Sequence, residues 1–449
     1  VAARARSNLL PLVAGIELGI AFAAFRLWQG LVGPPLQWPD STSYAHSALW
    51  AGARPPLVPA LWRLTGTPTA FVLVQTLFAI VAWWYLAWTV AELVRPGWWR
   101  VAAGGAVLAF ALTTSIVLWD RSVLSESVGL SLLALLFATA INVTVRVTPG
   151  RVAALAAVGA AFALTRDSQI WMIVGLGVAI GGYAVVRHSS ARVVVLACLL
   201  IGVSIFALAG EAASHRNVVN VDQALYVRIF PYPDRVAWFA RHGMPDAARV
   251  NLYAKHARRV AHGDAPVVSI DAADGTVQPL VHWLHTDATR VYLEWLALHP
   301  VYVLTEPFRV PSRTFNNAGG RIRGYAAPDR TELSWIDAVF DPGPWVVLAA
   351  LVGALVVAWR REIWRARWWR MVALLGVFGL GEMLVAWHGD GSESTRHGIV
   401  GSVTVRLAVL VLLVAGLGCE RAGRRPVPVA VGDEQDSSAQ GYAPAVAAK

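Results

Sequence analysis

The chain has 449 residues, 56% of them hydrophobic and only 15% charged, with 21 tryptophans and a mean hydropathy of +0.53. That balance excludes a soluble globular protein and points to an integral membrane protein. The net charge of +10 would suit nucleic acid if it clustered on a soluble face. Here the arginines gather at the ends of apolar segments, where the positive-inside rule accounts for them, so no nucleic-acid partner is expected. The two cysteines, Cys198 inside one apolar segment and Cys419 at the end of another, give no disulfide framework to an external region. No Cys/His cluster has zinc spacing.

About 20 apolar residues cross a bilayer as a helix. Ten segments meet that scale: 8–31, 69–93, 101–119, 124–145, 152–166, 169–186, 193–211, 343–359, 369–387 and 399–418, the fifth being the shortest. The first is too long for the apolar part of a signal peptide and reads as a membrane helix. With the N-terminus inside, an even count puts Arg95/Arg100, Arg146/Arg151, Arg187/Arg192, the run Arg360–Arg370 and Arg421/Arg424/Arg425 in the cytoplasm. The compact motifs that mix acidic and basic residues then all fall outside. An odd count breaks that agreement.

Two external segments interrupt the serpentine. Residues 32–68 carry Pro34-Pro35, Pro39 and an amphipathic stretch, Ser43–Leu64 with Trp50 and Trp62, suited to helices lying in the interface. Residues 212–342 are long and polar enough for a small domain. They hold a helix expected at Asp246–Ala261, a hairpin signal (Val267–Ile270 to Val277–Val281 around Asp274-Gly275) and a helical stretch, Asp287–Leu304, interrupted at Pro300. The expected fold is an all-α polytopic membrane protein of about ten transmembrane helices. In it, 1–211 carries seven spans, 212–342 is a small α+β extracytoplasmic insertion, and 343–420 carries three spans. The remainder to 449 is a disordered cytoplasmic tail.

Ionisable residues at membrane level are costly and usually functional, which selects five motifs. Asp40, in Trp38-Pro39-Asp40-Ser41-Thr42-Ser43-Tyr44, follows the first span. A carboxylate at a helix N-terminus stays ionised and suits a general base or a metal ligand; the alternative is a plain N-cap. Arg54, in Arg54-Pro55-Pro56-Leu57, either faces an anionic ligand or belongs to a rigid interfacial turn. Asp120 and Glu126, in Trp119–Ser127, open the fourth span, with Glu126 directed into the bundle. Their structural alternative is an Asp120–Arg121 anchor with Glu126 paired to a neighbouring helix. Arg166-Asp167 joins two spans with almost no loop, and the planar fork of Arg166 suits phosphate unless it pairs with Asp167. Within His388–His397, Asp390 adds a carboxylate, and Glu393, Arg396 and His397 share one helix face, as an anion site or an ion-paired helix start. Glu382 lies near the same external end. Glu17, within the first span, has no evident partner.

An acidic residue in the first external loop, polar motifs at later external helix starts and a late external domain together resemble the GT-C superfamily. These are integral-membrane glycosyltransferases that use polyprenyl-phosphate-linked sugars. The likeness rests on Pro39–Tyr44, Arg54–Pro59, Leu124–Ser127, Thr165–Asp167, Glu393–His397 and His299-Pro300-Val301-Tyr302. It implies a sugar transferase at the outer face of the cytoplasmic membrane, serving a glycan, lipid or protein acceptor by an inverting displacement. Asp40 would be base or metal ligand; Arg166, Arg396 and His397 would bind the donor phosphate. Tyr44, Arg54, Asp120, Glu126, Asp167, Asp390 and Glu393 would support the site or the acceptor. A lone Asp40, where several branches have adjacent acidic residues, leaves a divalent metal (Mg, Mn or Ca) an open cofactor. The other classes are a flippase for lipid-linked precursors, which needs a charged path to the inner face, and a non-catalytic scaffold, in which the motif residues need not meet.

Overall fold

A computed structural model of the chain describes residues 2–188, 190–214, 216–245, 278–309, 311–315, 331–389, 391 and 394–419. The protein is an all-α polytopic membrane protein. Eight of its helices are long and apolar enough to cross a bilayer, and two more, Trp98–Ala111 and Pro149–Ala163, are apolar but shorter.

The first span, α1 (Ala2–Leu31), leads into two short helices, α2 (Ser41–His46) and α3 (Leu57–Thr65), within the external segment expected to lie in the interface. Next comes α4 (Pro68–Glu92), which starts where its sequence says it should. The Thr67 side chain accepts from the Ala70 N–H, and Pro68 occupies the first turn, where its missing N–H costs nothing. The same Thr-Pro device starts α8 (Pro149–Ala163), after α5 (Trp98–Ala111), α6 (Thr114–Val117) and α7 (Glu126–Val145). Then follow α9 (Asp167–Val186) and α10 (Ala191–Ser214). Over their apolar windows α7 and α21 (Ile399–Gly418) are 78% and 83% buried, against 22% for α1. The centre of the bundle is therefore α7 and α21, and α1 lies at its edge.

The third span differs from its expected extent of 101–119. Its helix ends at Ala111, and residues 118–125 run as buried irregular backbone up to the start of α7. Backbone of this kind survives at membrane level only when protein satisfies its polar groups. It does so here: Leu36 N–H donates to the Arg121 carbonyl (2.8 Å), and Val123 N–H donates to the Leu36 carbonyl (2.9 Å). The buried Gln75 amide donates to the carbonyls of Asp120 and Ser122, both at 2.8 Å. Apolarity alone reads this segment as helix, because every side chain in it is buried.

The segment between α10 and the next long apolar helix contributes α11 (Arg216–Arg228), α12 (Pro233–Arg241), α13 (Gln278–Thr286), α14 (Ala288–Leu298) and α15 (Pro300–Thr305), followed by α16 (Pro311–Thr314) and α17 (Ser334–Phe340). The break at Pro300 falls where the sequence puts it. The hairpin does not hold at its second arm: Gln278–Val281 is the first turn of α13, and Val267–Val277 lies outside the described residues. No strand occurs among the described residues beyond the single bridge Leu36–Ser122, so the α+β character expected of the insertion is helical wherever it is described. The expected helix at 246–261 and the tail beyond 421 also lie outside the described residues.

The chain returns to the membrane through α18 (Pro344–Arg361) and α19 (Arg367–Gly389), then a short turn, α20 (Ser394–His397), leads into α21. An aromatic core of Phe239, Trp283, Tyr292 and Trp295 holds α11–α15 together. This core docks on the C-terminal end of α19: the Tyr292 hydroxyl donates to the His388 carbonyl (2.9 Å), and Arg228 lies 4.1 Å above the Trp387 ring. Burial pushes the Tyr302 phenol up to about 12, so it stays neutral beside Arg235, whose guanidinium lies 4.7 Å from its ring. The docking fixes α19 at the point from which the chain runs to Arg396.

Candidate functional site

Four separate stretches bring charged side chains to one end of the bundle. Pro39 ends the extended run after α1, and Asp40 follows at the start of α2. Asp40 occupies the N-cap position, but its carboxylate makes no capping bond. It accepts instead from two guanidiniums, Arg54 Nη2 and Arg396 Nη2, each at 2.6 Å. Arg54 is held by a second bond, from its Nε to the Ser43 hydroxyl at 2.7 Å, and its guanidinium carbon lies 5.6 Å from the ring of the buried Tyr44. Ser43 and Tyr44 sit on α2, so one short helix both places Asp40 and aims its partner.

Arg396 continues the chain inward. Its Nε donates to Glu126 Oε1 at 2.6 Å, and Arg166 Nη1 approaches the same oxygen at 3.3 Å. Glu126, the first residue of α7, is fully buried and Arg396 nearly so, whereas the Asp40 and Arg54 side chains keep 26% and 28% of their exposure. The result is an ion-pair chain, Arg54–Asp40–Arg396–Glu126–Arg166, closed at its inner end and open at its outer end. Among the described residues three guanidiniums face two carboxylates along it, an arrangement that suits a further anion at the open end. Glu126 Oε2 has no hydrogen-bond partner among the described residues. His397 is half-buried and near enough to act on Glu126 electrostatically.

Asp167 is half-buried at the start of α9 and lines a small crevice with Arg54, Pro55, Trp50 and Phe206. It therefore adjoins the outer end of the chain. Asp390 and Glu393 lie outside the described residues. Asp120 is not part of the cluster: fully buried, it forms a bidentate pair with Arg26 (2.7 and 3.0 Å) and accepts from Ser127 Oγ (2.8 Å). The anchor expected between Asp120 and Arg121 gives way to this pair, and Arg121 Nη2 donates to the Pro34 carbonyl instead.

Sequence reasoning missed Arg26, although a lone arginine inside a span demands a buried acidic partner. It also missed Ser168, whose hydroxyl donates to the buried Glu382 at 3.1 Å and ties α19 to the start of α9. A further missed pair, Arg406 with Asp341, locks the segment before α18 into the bundle. Asp337 of α17 helps there by accepting from the Thr114 N–H at 2.6 Å. Glu17 is exposed on α1, away from all of these.

Burial raises the affinity of the Asp40 carboxyl for its proton. The charge of Arg396, then that of Arg54, outweighs this and holds the group below its ordinary value of 3.8. A depressed folded value means that the pairing stabilises the protein above the unfolded value and that this contribution is lost as pH falls through the folded one. The difference in melting temperature between wild type and Asp40→Asn is therefore expected to stay constant at pH values well above 3.8 and to shrink only in stronger acid, as thermal unfolding across pH would record.

No protein-family profile matches the chain, and no curated protein matches it in sequence.

Proposed function

We propose that the protein is a GT-C-type glycosyltransferase that moves a sugar from a polyprenyl-phosphate donor to a glycan, lipid or protein acceptor at the outer face of the cytoplasmic membrane. The observation that carries this reading is the convergence of Asp40, Arg54, Glu126, Arg166 and Arg396 from four distant stretches into one half-open ion-pair chain. A scaffold has no need of such convergence. A flippase needs charge along a path across the bilayer, whereas two further buried pairs, Arg26–Asp120 and Arg406–Asp341, are each closed on their own partners.

The donor phosphate meets Arg54 and Arg396 at the open end, with Arg166 and His397 behind. As the acceptor oxygen attacks the anomeric carbon from the opposite side, the bond from that carbon to the phosphate oxygen breaks. Its electron pair leaves with polyprenyl phosphate, and the configuration inverts. The arginines are already in place where that charge grows, which is where preorganised cations lower a barrier most. Asp40, released as the phosphate draws the guanidiniums toward itself, accepts the acceptor's hydroxyl proton. Glu126 holds Arg396 in position. The surroundings of Asp40 do not fit a divalent metal, since two guanidiniums stand against its oxygens and would repel a second cation. No group of three or more His, Cys, Asp or Glu side chains suited to a metal forms among the described residues.

The test is release of polyprenyl phosphate from a panel of polyprenyl-phosphate sugars by the purified protein in lipid nanodiscs. At least one donor should be turned over, and Asp40→Asn should lower that turnover about 10²–10⁴-fold without loss of fold. Turnover untouched by Asp40→Asn would remove Asp40 as the base. No release from any donor, with membrane acceptors supplied, would remove the transferase.

A further inference from the structure

On the cytoplasmic side, away from the site, the edge helix α1 stands off from α4 and α5 and leaves a groove of about 470 Å³. That is within the roughly 300–1,000 Å³ of small-molecule sites. The space exists because side chains are missing from it. A Cβ on Gly15 would meet nothing within 4 Å, and one on Gly104 would meet only ordinary contacts at 3.5 Å or beyond. Trp84 and Leu108 supply apolar walls, and the lining has two charges, Glu92 and Arg100.

The order of these residues along the helices matters. Arg100 lies in the first turn of α5 and Glu92 at the last residue of α4, at the level of the positive-inside junction, where lipid headgroups lie. From Arg100 to Leu108 the groove runs about 12 Å into the hydrocarbon, at 1.5 Å per helical residue. It has a charged mouth in the headgroup layer and an apolar floor in the acyl layer, which is the polarity of a single phospholipid.

Glu92 and Arg100 flank this mouth without an ion pair between them. Among the described residues the Arg100 guanidinium has no hydrogen-bond or ion-pair partner. Glu92 uses one carboxylate oxygen to accept from the Trp88 indole N–H at 2.9 Å and keeps the other open. A cation and an anion held apart complement a headgroup that carries a phosphate and an ammonium. A purely apolar partner helix would leave both unmatched.

We infer that this groove is a binding site for one phospholipid with a primary-amine headgroup, phosphatidylethanolamine in chemical class. Its phosphate sits on Arg100, its ammonium on Glu92, and one acyl chain lies between α1, α4 and α5. Phosphatidylcholine has the charges but no N–H to give Glu92, and phosphatidylglycerol has no cation.

Native mass spectrometry of the full-length protein, released from nanodiscs of each lipid in turn, tests this independently of any transferase activity. Wild type should retain one phosphatidylethanolamine in preference to the other two. Gly15→Leu and Gly104→Leu, which add bulk where the backbone tolerates it, should abolish the adduct. Arg100→Gln should weaken it roughly tenfold, the value of one charge-assisted contact. Glu92→Gln should erase the preference for phosphatidylethanolamine over phosphatidylglycerol. Equal retention of the three lipids, or an adduct indifferent to both leucine variants, overturns the assignment. A second protein chain retained by wild type and lost in Gly104→Leu overturns it as well, in favour of a helix docked in the groove.

Discussion

Arg396→Met is expected to reduce sugar transfer by about 10²–10³-fold, the loss typical when a preorganised donor to a developing charge is removed. It should also destabilise the protein by about 3–5 kcal/mol, because it deprives a buried charge of its closest partner. Both effects follow from one geometry: Arg396 bridges the open carboxylate Asp40 and the closed carboxylate Glu126 at 2.6 Å each. After its removal Glu126 has only Arg166, at 3.3 Å, and Asp40 has only Arg54. The two losses separate in a second variant. Adding Glu126→Gln to Arg396→Met removes the stranded carboxylate but leaves the buried Arg166 without its counter-ion, so stability should return only in part while transfer stays low. Arg396→Lys tests the bridge itself, since one ammonium cannot reach two carboxylates with the fork of a guanidinium; it should fold better than the Met variant and still transfer poorly. Thermal unfolding and polyprenyl phosphate release on the same nanodisc samples read both quantities. Full turnover by Arg396→Met would remove it from the phosphate site.

The membrane helices were legible because a bilayer imposes a length and an apolarity that composition reports directly. The start of the second span was legible to within a residue, 69 expected against Pro68, whereas the fifth was expected at 152 and begins at Pro149. The end of the third span's helix at Ala111 was not legible, since the residues up to Trp119 are as apolar as a helix, and what holds the irregular run 118–125 is Gln75, distant in sequence, donating to the carbonyls of Asp120 and Ser122. For the site, Asp40, Arg54, Glu126, Arg166 and Arg396 could be picked out by a single rule, that charge at membrane level needs a reason. Their partners could not. Spacing offered Arg166 its neighbour Asp167, yet the structure pairs Arg166 with Glu126, 40 positions away, and brings Arg396 to the same carboxylate from 270 positions away; Glu393, the neighbour offered to Arg396, lies outside the described residues. Sequence proximity ranks neighbours along a helix face, while helix packing decides which faces meet. The same rule applied to Arg26 would have flagged a buried pair, and Asp120 would then have been its natural partner rather than a site residue.

That reassignment gives the second large effect. Arg26→Met should destabilise the protein by about 3–5 kcal/mol, since Asp120 would then be a buried carboxylate supported only by the Ser127 hydroxyl and no cation. Both members of the pair are fully buried, so water cannot make good the loss. Replacing both, as Arg26→Met with Asp120→Asn, removes the uncompensated charge and should recover most of the stability, because a buried ion pair and a neutral packing of similar volume differ little in net free energy. The transfer rate per folded molecule should then match wild type. Asp120 does reach the site indirectly: it belongs to the irregular run that ends at Glu126, and Gln75 holds that run through its carbonyls whether or not the side chain of residue 120 is charged. Circular dichroism melts with transfer assays on the double variant decide the matter. A folded double variant without activity would return Asp120 to the chemistry and show that the shape of 118–125 depends on its charge. A folded and active one leaves Asp120 as the counter-ion that keeps Arg26 inside the membrane.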